Sequence, residues 1–463
     1  MIQTLCALPG GRVRGELRVP GDKSISHRAI MLGSIADGET RITGFLEGAD
    51  ALATMNVFRA MGVDIDGPRG GEVVVHGAGL FGLKAPSEAL QCGNSGTSMR
   101  LLSGLLAGQP FEAQLVGDAS LSRRPMRRVI DPLAAMGARI DSDEGRPPLL
   151  VRPVDKLRGV DIQMKVASAQ VKSALILAGL YASGTTRVTE PAPTRDHTER
   201  MLAAFGVEVA RDGATVSVTG GRPLRACRID VPADISSAAF FLVAASITPG
   251  ADLLLRHVGM NPTRTGILQI LRAMGADITE LDSRTVGGEP VADLRVRAAP
   301  LNGIEIPEAW VPLAIDEFPV LFIAAACAQG TTILRGAEEL RVKESDRIAV
   351  MAEGLAALGM AVEPTPDGMR IAGRGGENTP FTGGSVQSHG DHRIAMAFAV
   401  AGLRAAGPIT ILDTENVATS FPGFAAMAGS VGMLLRAGTM AVEGEMTLEE
   451  PQSNEGMATR AGQ

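Results

Sequence analysis

Aromatic side chains are scarce in this chain of 463 residues: 3% in all, with a single tryptophan, Trp310, and a single tyrosine, Tyr181. Single-stranded nucleic acid is bound on aromatic stacking platforms, so this composition argues against that role. A net charge of −7 removes the basic footprint that nonspecific nucleic-acid binding requires. Cysteine is equally sparse. Cys6, Cys92, Cys227 and Cys327 are scattered, with no C-x-x-C pair and no secretory framework, which fits a reducing cytosol. Residues 1–10 lack a basic segment followed by an apolar one. The longest apolar runs, such as Phe318 to Cys327, are too short to span a bilayer. These absences together point to a cytoplasmic protein without nucleic-acid or membrane partners, built on an aliphatic core. Its length exceeds one ordinary core and calls for at least two domains.

What the chain has instead is internal repetition. A helix-ending phrase recurs at Arg59-Ala60-Met61-Gly62, Ala134-Ala135-Met136-Gly137, Ala203-Ala204-Phe205-Gly206, Arg272-Ala273-Met274-Gly275 and Ala356-Ala357-Leu358-Gly359, with a weaker copy ending at Gly432. The glycines are 75, 69, 69, 84 and 73 residues apart. Glycine accepts the left-handed conformation that closes a helix. A second phrase interleaves with the first: a polar start, an apolar helix, a small-residue turn and a Thr/Val/Ile strand. Its copies begin at Lys23, Asn94, Ser168, Asp234, Asp316 and Asp391. Each unit therefore carries one amphipathic helix and one that is apolar nearly all round and so buried. Val19-Pro20-Gly21-Asp22 resembles Val231-Pro232-Ala233-Asp234, which adds a twofold to the sixfold. The expected architecture is α/β, with six repeated helix-and-strand units, three per domain. Residues 1–20 with 234–440 form one domain, 21–233 form the other, and two crossings near Pro20 and Pro232 supply a hinge. Residues 441–463 hold five Glu and one Arg and read as a disordered acidic tail.

The starts of the apolar helices carry the side chains of interest. They are Lys23, Ser24 and Arg28; Asn94, Ser95, Gly96, Thr97 and Arg100; Ser168, Ala169 and Gln170; Asp234 and Ser236; Asp316 and Glu317; and Asp391, His392 and Arg393. Cations at a helix N-terminus work against its dipole by roughly 0.3–1 kcal/mol each, so they serve a bound anion better than the helix. The amphipathic helices add Arg123-Arg124-Pro125, Arg195-Asp196-His197 and Arg341 to Arg347. Each piece alone has a plain alternative. The Asn94 to Thr97 stretch, Ser168 and Asp316 serve equally as helix caps, and Lys343 to Arg347 as a solvated charge run. His389-Gly390-Asp391-His392 is too little for a metal site. Recurrence at equivalent positions is what separates the two readings. Three helix starts on one face of each domain would enclose a cleft with about eight cations and a few carboxylates.

Four of these stretches also match a known family. Pro20-Gly21-Asp22-Lys23-Ser24-Ile25-Ser26-His27-Arg28, Gly93-Asn94-Ser95-Gly96-Thr97, Arg341-Val342-Lys343-Glu344-Ser345-Asp346-Arg347 and Gly390-Asp391-His392-Arg393 closely resemble the signatures of the 5-enolpyruvylshikimate-3-phosphate synthase family, over about residues 8 to 435. The resemblance implies a two-domain inside-out α/β barrel of the enolpyruvyl transferase type. It implies transfer of enolpyruvate from phosphoenolpyruvate to shikimate 3-phosphate, with phosphate released, by a monomer using neither metal nor organic cofactor. It implies that Lys23, Ser24, Arg28, Ser168, Ala169, Gln170, Arg195, Asp316 and Lys343 hold shikimate 3-phosphate, and that Lys23, Gly96, Arg124, Gln170, Arg347 and Arg393 hold phosphoenolpyruvate. Asp316 would take the proton of the 5-hydroxyl, and Glu344 or Lys23 would manage the proton at the methylene carbon. The family's phosphonate inhibitor glyphosate would share the phosphoenolpyruvate pocket.

Some positions depart from one branch of that family. Ala169 stands where that branch has a second serine, Leu101 where it has proline, and Thr419 where it has a lysine that helps bind phosphoenolpyruvate. These changes resemble the more divergent bacterial class II branch. The related transferase acting on UDP-N-acetylglucosamine carries a cysteine on the loop before its Arg-Pro, and here Val116 to Pro125 has none. A noncatalytic anion-binding repeat scaffold would have no use for Asp316 and Glu344.

Overall fold

The computed structural model describes residues 2–440 and 446–448. Its buried apolar side chains form two separate cores. One runs from Leu5 to Val19 and resumes from Ala233 to Met433; the other runs from Ile25 to Val231. The chain thus passes between cores twice, at residues 20–24 and 231–233.

Six apolar helices lie at the centre, three per core: Lys23–Ser34, Gly96–Leu106 and Ala169–Gly179 in one, Ile235–Ile247, Phe318–Ala326 and His392–Ala401 in the other. Every residue of Ile235–Ile247 and of Phe318–Ala326 is buried. Polar residues define most of their starts. Asp22 caps Ile25 N at 2.9 Å, Ser95 caps Ser98 N at 3.1 Å, and Asp391 caps Arg393 N at 2.9 Å. Such caps satisfy the orphan amides of a first turn. Asp316 does not cap: the helix after it begins at Phe318 without a side-chain cap bond. Gly62, Gly137, Gly206, Gly275, Gly359 and Gly432 all have φ between 81° and 99°, so the repeated phrase ends a helix in all six units, the weak copy included.

Among the described residues the strands form six sheets, three around each helix trio. Five of them share one pattern, a parallel edge strand and then two antiparallel pairings; in the sixth, Gln329–Leu334 with Gly368–Arg374 and Ala361–Thr365, the parallel edge is reduced to isolated bridges from Asn302 and Glu305. In one, Leu90–Gln91 runs parallel to Ala113–Val116, which pairs antiparallel with Arg146–Arg152, followed by Arg139–Asp143. At the crossings the edge strand stays with the core behind it. Arg14–Leu17 precedes the helix Lys23–Ser34 in sequence yet runs parallel to Asp252–Gly259 of the other core. Arg228–Asp230 likewise runs parallel to Ala36–Thr43.

Two local expectations change. Arg123, Arg124, Arg195, Arg341 and Lys343 lie in the turns leading into the amphipathic helices, not within them; those helices start at Arg127, His197 and Arg347. Their first-turn amides are already orphaned, so preceding turns can direct side chains away from the helix axis. Within the expected disordered tail, Met446–Leu448 forms a short strand on the exposed edge of Met433–Met440. A free sheet edge offers unpaired amides and carbonyls to any segment that follows. The rest of that tail lies outside the described residues.

The helix trio of one core packs by backbone contact. A Cβ on Gly104 would lie 2.0 Å from the carbonyl oxygen of Ala174 in the neighbouring helix. Gly104→Ala must therefore push apart two helices whose N-termini carry Gly96 and Gln170. Overpacking of this kind costs about 1–3 kcal/mol. Urea unfolding should show Gly104→Ala with a lower midpoint, corresponding to a loss of that much unfolding free energy; an unshifted midpoint would mean that the two helices separate freely.

Candidate active site

All six apolar helices point their N-termini into one cleft of about 310 Å³ between the cores. Lys23, Ser24, Asn94 to Thr97, Ser168 to Gln170, Asp234, Asp316, His392 and Arg393 line it from those starts. Eight cations reach the walls: Lys23, Arg100, Arg124, Arg128, Arg195, Arg264, Lys343 and Arg393. They face five carboxylates: Asp50, Asp234, Asp316, Glu339 and Glu344. The excess of positive charge, with helix dipoles of the same sign behind it, suits ligands that bear several negative charges.

Within the cleft the cations are engaged by carboxylates, many across the two cores. Arg195 of one core donates to Asp316 of the other. Arg124 lies 3.7 Å from Glu344, and Arg128 donates to Glu339 at 3.1 Å. Lys23 pairs with Asp50 and donates to Ser420 at 2.8 Å, a residue of the opposite core adjoining Thr419. Gln170 accepts from Arg100 and donates to Thr97 at 2.9 Å, which fixes its amide orientation. The Nε–H groups of Arg100, Arg124 and Arg128 are buried without a partner among the described residues, as is Nε2 of His392.

Asp316 and Glu344 are the two carboxylates with the most unusual surroundings. Burial works to raise the Asp316 carboxyl, but Arg195, Lys343, Arg393 and Arg347 overcome it and hold the group well below the usual carboxylate range. Lys343 is 3.7 Å away and Arg347 is 3.5 Å away. Glu344 is likewise held low against burial, chiefly by Arg347, which donates to it at 2.6 Å, and by Arg124. The imidazole of His392 is pushed down to about 3 by burial and by Arg393, and is neutral. The Cys92 thiol is fully buried and pushed up to about 12 by burial, so it is no nucleophile at neutral pH.

Of the residues that the family resemblance assigns to substrate binding or proton transfer, all but two line this cleft. Arg28 lies behind its wall, donating to Thr198 at 2.7 Å, Ser173 at 2.9 Å and the Ser24 carbonyl at 2.9 Å. Arg347 is 1% exposed and spans Asp391, Glu344 and Asp316. Asp50, Arg128, Arg264 and Glu339 line the cleft without having been singled out. Asp50 and Arg128 sit in first turns of amphipathic helices, where a charge passes as ordinary helix chemistry. Arg264, in Asn261-Pro262-Thr263-Arg264, carries no local signal. His389 is exposed while His392 is buried, so the two histidines do not converge. No cluster of three or more His, Cys, Asp or Glu able to hold a metal occurs among the described residues.

Comparison with known proteins agrees with this geometry. The model of the family described as EPSP synthase (3-phosphoshikimate 1-carboxyvinyltransferase) matches residues 8–427. A 3-phosphoshikimate 1-carboxyvinyltransferase of Alkalilimnicola ehrlichii is 69% identical over 431 residues, covering 93% of this chain and 96% of that one. One of Methylococcus capsulatus is 66% identical over 426 residues, covering 92% and 96%. The solved EPSP synthase of Acinetobacter baumannii superposes with a TM-score of 0.86 at 56% identity, covering 94% of this chain and all of that one.

The depressed Asp316 carboxyl makes stability depend on pH with a definite sign. Its folded value lies below the unfolded one, so the folded state binds fewer protons and gains stability as pH rises. The contribution is complete above the unfolded value of about 4 and is lost as pH falls towards the folded value. Asp316→Asn should be less stable than wild type at pH 7 by about 1–3 kcal/mol, because four cations lose their acceptor. Thermal melts between pH 7 and pH 3 should show that difference shrinking with acidification. A difference that stays constant would mean the carboxylate charge does not hold these cations.

Proposed function

The chain belongs to the EPSP synthase (3-phosphoshikimate 1-carboxyvinyltransferase) family, and from that premise we propose how its cleft divides the work of the reaction. The enzyme transfers the enolpyruvyl group of phosphoenolpyruvate to the 5-hydroxyl of shikimate 3-phosphate, giving 5-enolpyruvylshikimate 3-phosphate and phosphate. This is a step of the shikimate pathway to aromatic amino acids. The observation that carries the division of roles is the convergence of all six helix starts, with eight cations and five carboxylates, on one cleft.

Shikimate 3-phosphate is held by Lys23, Ser24, Ser168, Ala169, Gln170, Arg195 and Lys343, with Arg28 fixing the Ser24 carbonyl from behind. Phosphoenolpyruvate is held by Lys23, Gly96, Arg124, Gln170 and Arg393, with Arg347 orienting the carboxylates beside it. Guanidinium groups suit both phosphate and carboxylate because they donate in pairs. Asp316 accepts the 5-hydroxyl proton as the oxygen attacks C2 of phosphoenolpyruvate. Glu344 or Lys23 delivers a proton to C3 in that addition and removes one as phosphate leaves. A carboxylate held well below its usual range is a weak base. In this reading the incoming phosphate draws Arg195 and Lys343 from Asp316, and its basicity recovers when the hydroxyl arrives.

The two cores support reading residues 1–20 with 234–440 and residues 21–233 as separate domains that move on the paired crossings. No helix among the described residues is long and apolar enough to cross a membrane. All four cysteines are unpaired, which supports the cytoplasm as its location.

Phosphate release with phosphoenolpyruvate and either shikimate 3-phosphate or UDP-N-acetylglucosamine tests the acceptor; release with the sugar nucleotide alone would overturn the assignment. Asp316→Asn should still bind shikimate 3-phosphate, because the amide keeps shape and hydrogen bonding, yet lose ~10²–10⁴-fold in kcat. Near-normal turnover would move the base elsewhere, first to Glu344. Gly96→Ala gives a second check. A Cβ there would lie 3.1 Å from Arg100 and 3.3 Å from Arg124, on the proposed phosphoenolpyruvate side. The inhibition constant for glyphosate, the longer molecule, should rise roughly 10- to 100-fold more than the KM for phosphoenolpyruvate. An unchanged ratio of the two constants would remove residue 96 from that pocket.

A further inference from the structure

The two crossings are tied to each other. Asp22 N donates to the Pro232 carbonyl at 2.8 Å, and Asp234 N donates to the Pro20 carbonyl at 2.9 Å. The pair is a reciprocal antiparallel bridge between Gly21 and Ala233. Gly21 has no alternative there, since a Cβ would fall 1.8 Å from the Gly44 carbonyl oxygen. Asp22 and Asp234, equivalent by the twofold, then cap the two helices that begin just after the crossings, at Ile25 N and Ser236 N.

Both carboxylates converge on one buried guanidinium. Arg264 donates through Nη1 to Asp22 at 3.1 Å, and through Nη2 to Asp234 at 3.1 Å and Ser236 at 2.7 Å. Asp234, Ser236 and Arg264 belong to one core and Asp22 to the other, so the Asp22 bond spans the pivot. Next to it His197 donates to Glu289 at 2.8 Å, and its Nε2 lies 3.4 Å from Arg264. Asn261 bonds Asp196 at 2.7 Å across the same seam. The residue after Asp22 is Lys23, which the proposed function assigns to both substrates.

We propose that Arg264 is a clasp on the hinge: by holding the two cap carboxylates together across the pivot, it fixes the closed orientation of the cores and so the position of Lys23 and Ser24. This rests on the assignment of the cleft made above. Arg264 is a positioning residue in this account. Without its charge, two buried carboxylates face each other at the pivot. Burial and the neighbouring Asp22 already push Asp234 up to about 6. The other titratable and charged groups facing the pair and Arg264 are Arg28, Arg195, His197, Arg393, Asp316 and Glu317. Loss of the clasp therefore drives the cores open, and binding shikimate 3-phosphate has to close them again. The cost falls on substrate affinity, while saturating substrate restores turnover.

Steady-state kinetics with Arg264→Met and with the double variant Arg264→Met/Asp234→Asn separate this from a role in folding alone. Arg264→Met should raise KM for shikimate 3-phosphate ~10-fold or more, within the usual range of coupling between distant parts, and lower kcat far less. The double variant has lost still more hydrogen bonds, yet removing one of the two facing charges should recover most of the KM. Small-angle scattering should show Arg264→Met expanded and the double variant compact. A double variant worse than the single in KM, or a single variant with normal KM and reduced kcat, overturns the clasp. If Arg264→Met does not fold, Arg264→Gln, which also removes the charge between the two carboxylates while keeping a polar side chain, carries the same comparison alone and with Asp234→Asn. Turnover by the wild type with shikimate 3-phosphate in the same assay tests the underlying assignment separately.

Discussion

The imbalance of charge in the cleft is the constraint on which the rest of the molecule depends. Eight Lys and Arg side chains, drawn from both cores, meet five carboxylates in a space of about 310 Å³. Like charges this close are tolerated only with opposite charge between them. Arg195 with Asp316, Arg124 with Glu344 and Arg128 with Glu339 supply part of it across the two cores. The substrates supply the rest, since each brings a phosphate and a carboxylate. Asp316 thus has two roles in this account: partner of Arg195 and Lys343 before the phosphate arrives, and base afterwards.

Holding so many polar groups at one place needs a rigid frame, and the aliphatic helix trios provide it. Where side chains would separate the helices the chain uses glycine, as at Gly104 against the Ala174 carbonyl. The caps Asp22, Ser95, Ser168 and Asp391 then fix where each helix starts, and with it the direction of the residues that follow. Packing in this molecule therefore determines chemistry through helix starts. The paired crossings join the two frames at one pivot, next to the helix that carries Lys23.

Much of this was legible in the sequence because it recurs. The helix-ending glycines have one conformational reason to be glycine, and that reason repeats six times. The polar starts repeat with them, so Lys23, Gly96, Gln170, Asp316 and Arg393 stood out as members of a series. Arg264, Asp50 and Arg128 did not. Each acts through a partner distant in the chain: Arg264 through Asp22 at 242 positions, Arg128 through Glu339 at 211. No local pattern encodes such a contact. The burial of Arg28 and Arg347 behind the cleft wall was hidden for the same reason, as their partners Thr198, Ser173 and Asp391 come from other units. The short strand at Met446–Leu448 was missed because composition alone does not reveal a free sheet edge waiting for a partner.

Melting temperature in the presence of shikimate 3-phosphate, against shikimate at the same concentration, tests the charge argument most directly. The two molecules differ only in the phosphate. A ligand that binds the folded state raises stability by RT ln(1 + [L]/Kd). If the cleft's excess cations read that phosphate, shikimate 3-phosphate raises the melting temperature, shikimate does not, and Arg195→Met loses most of the rise. Equal stabilisation by both compounds would contradict the account, because it would mean that the ring and its hydroxyls are recognised and the cations are not.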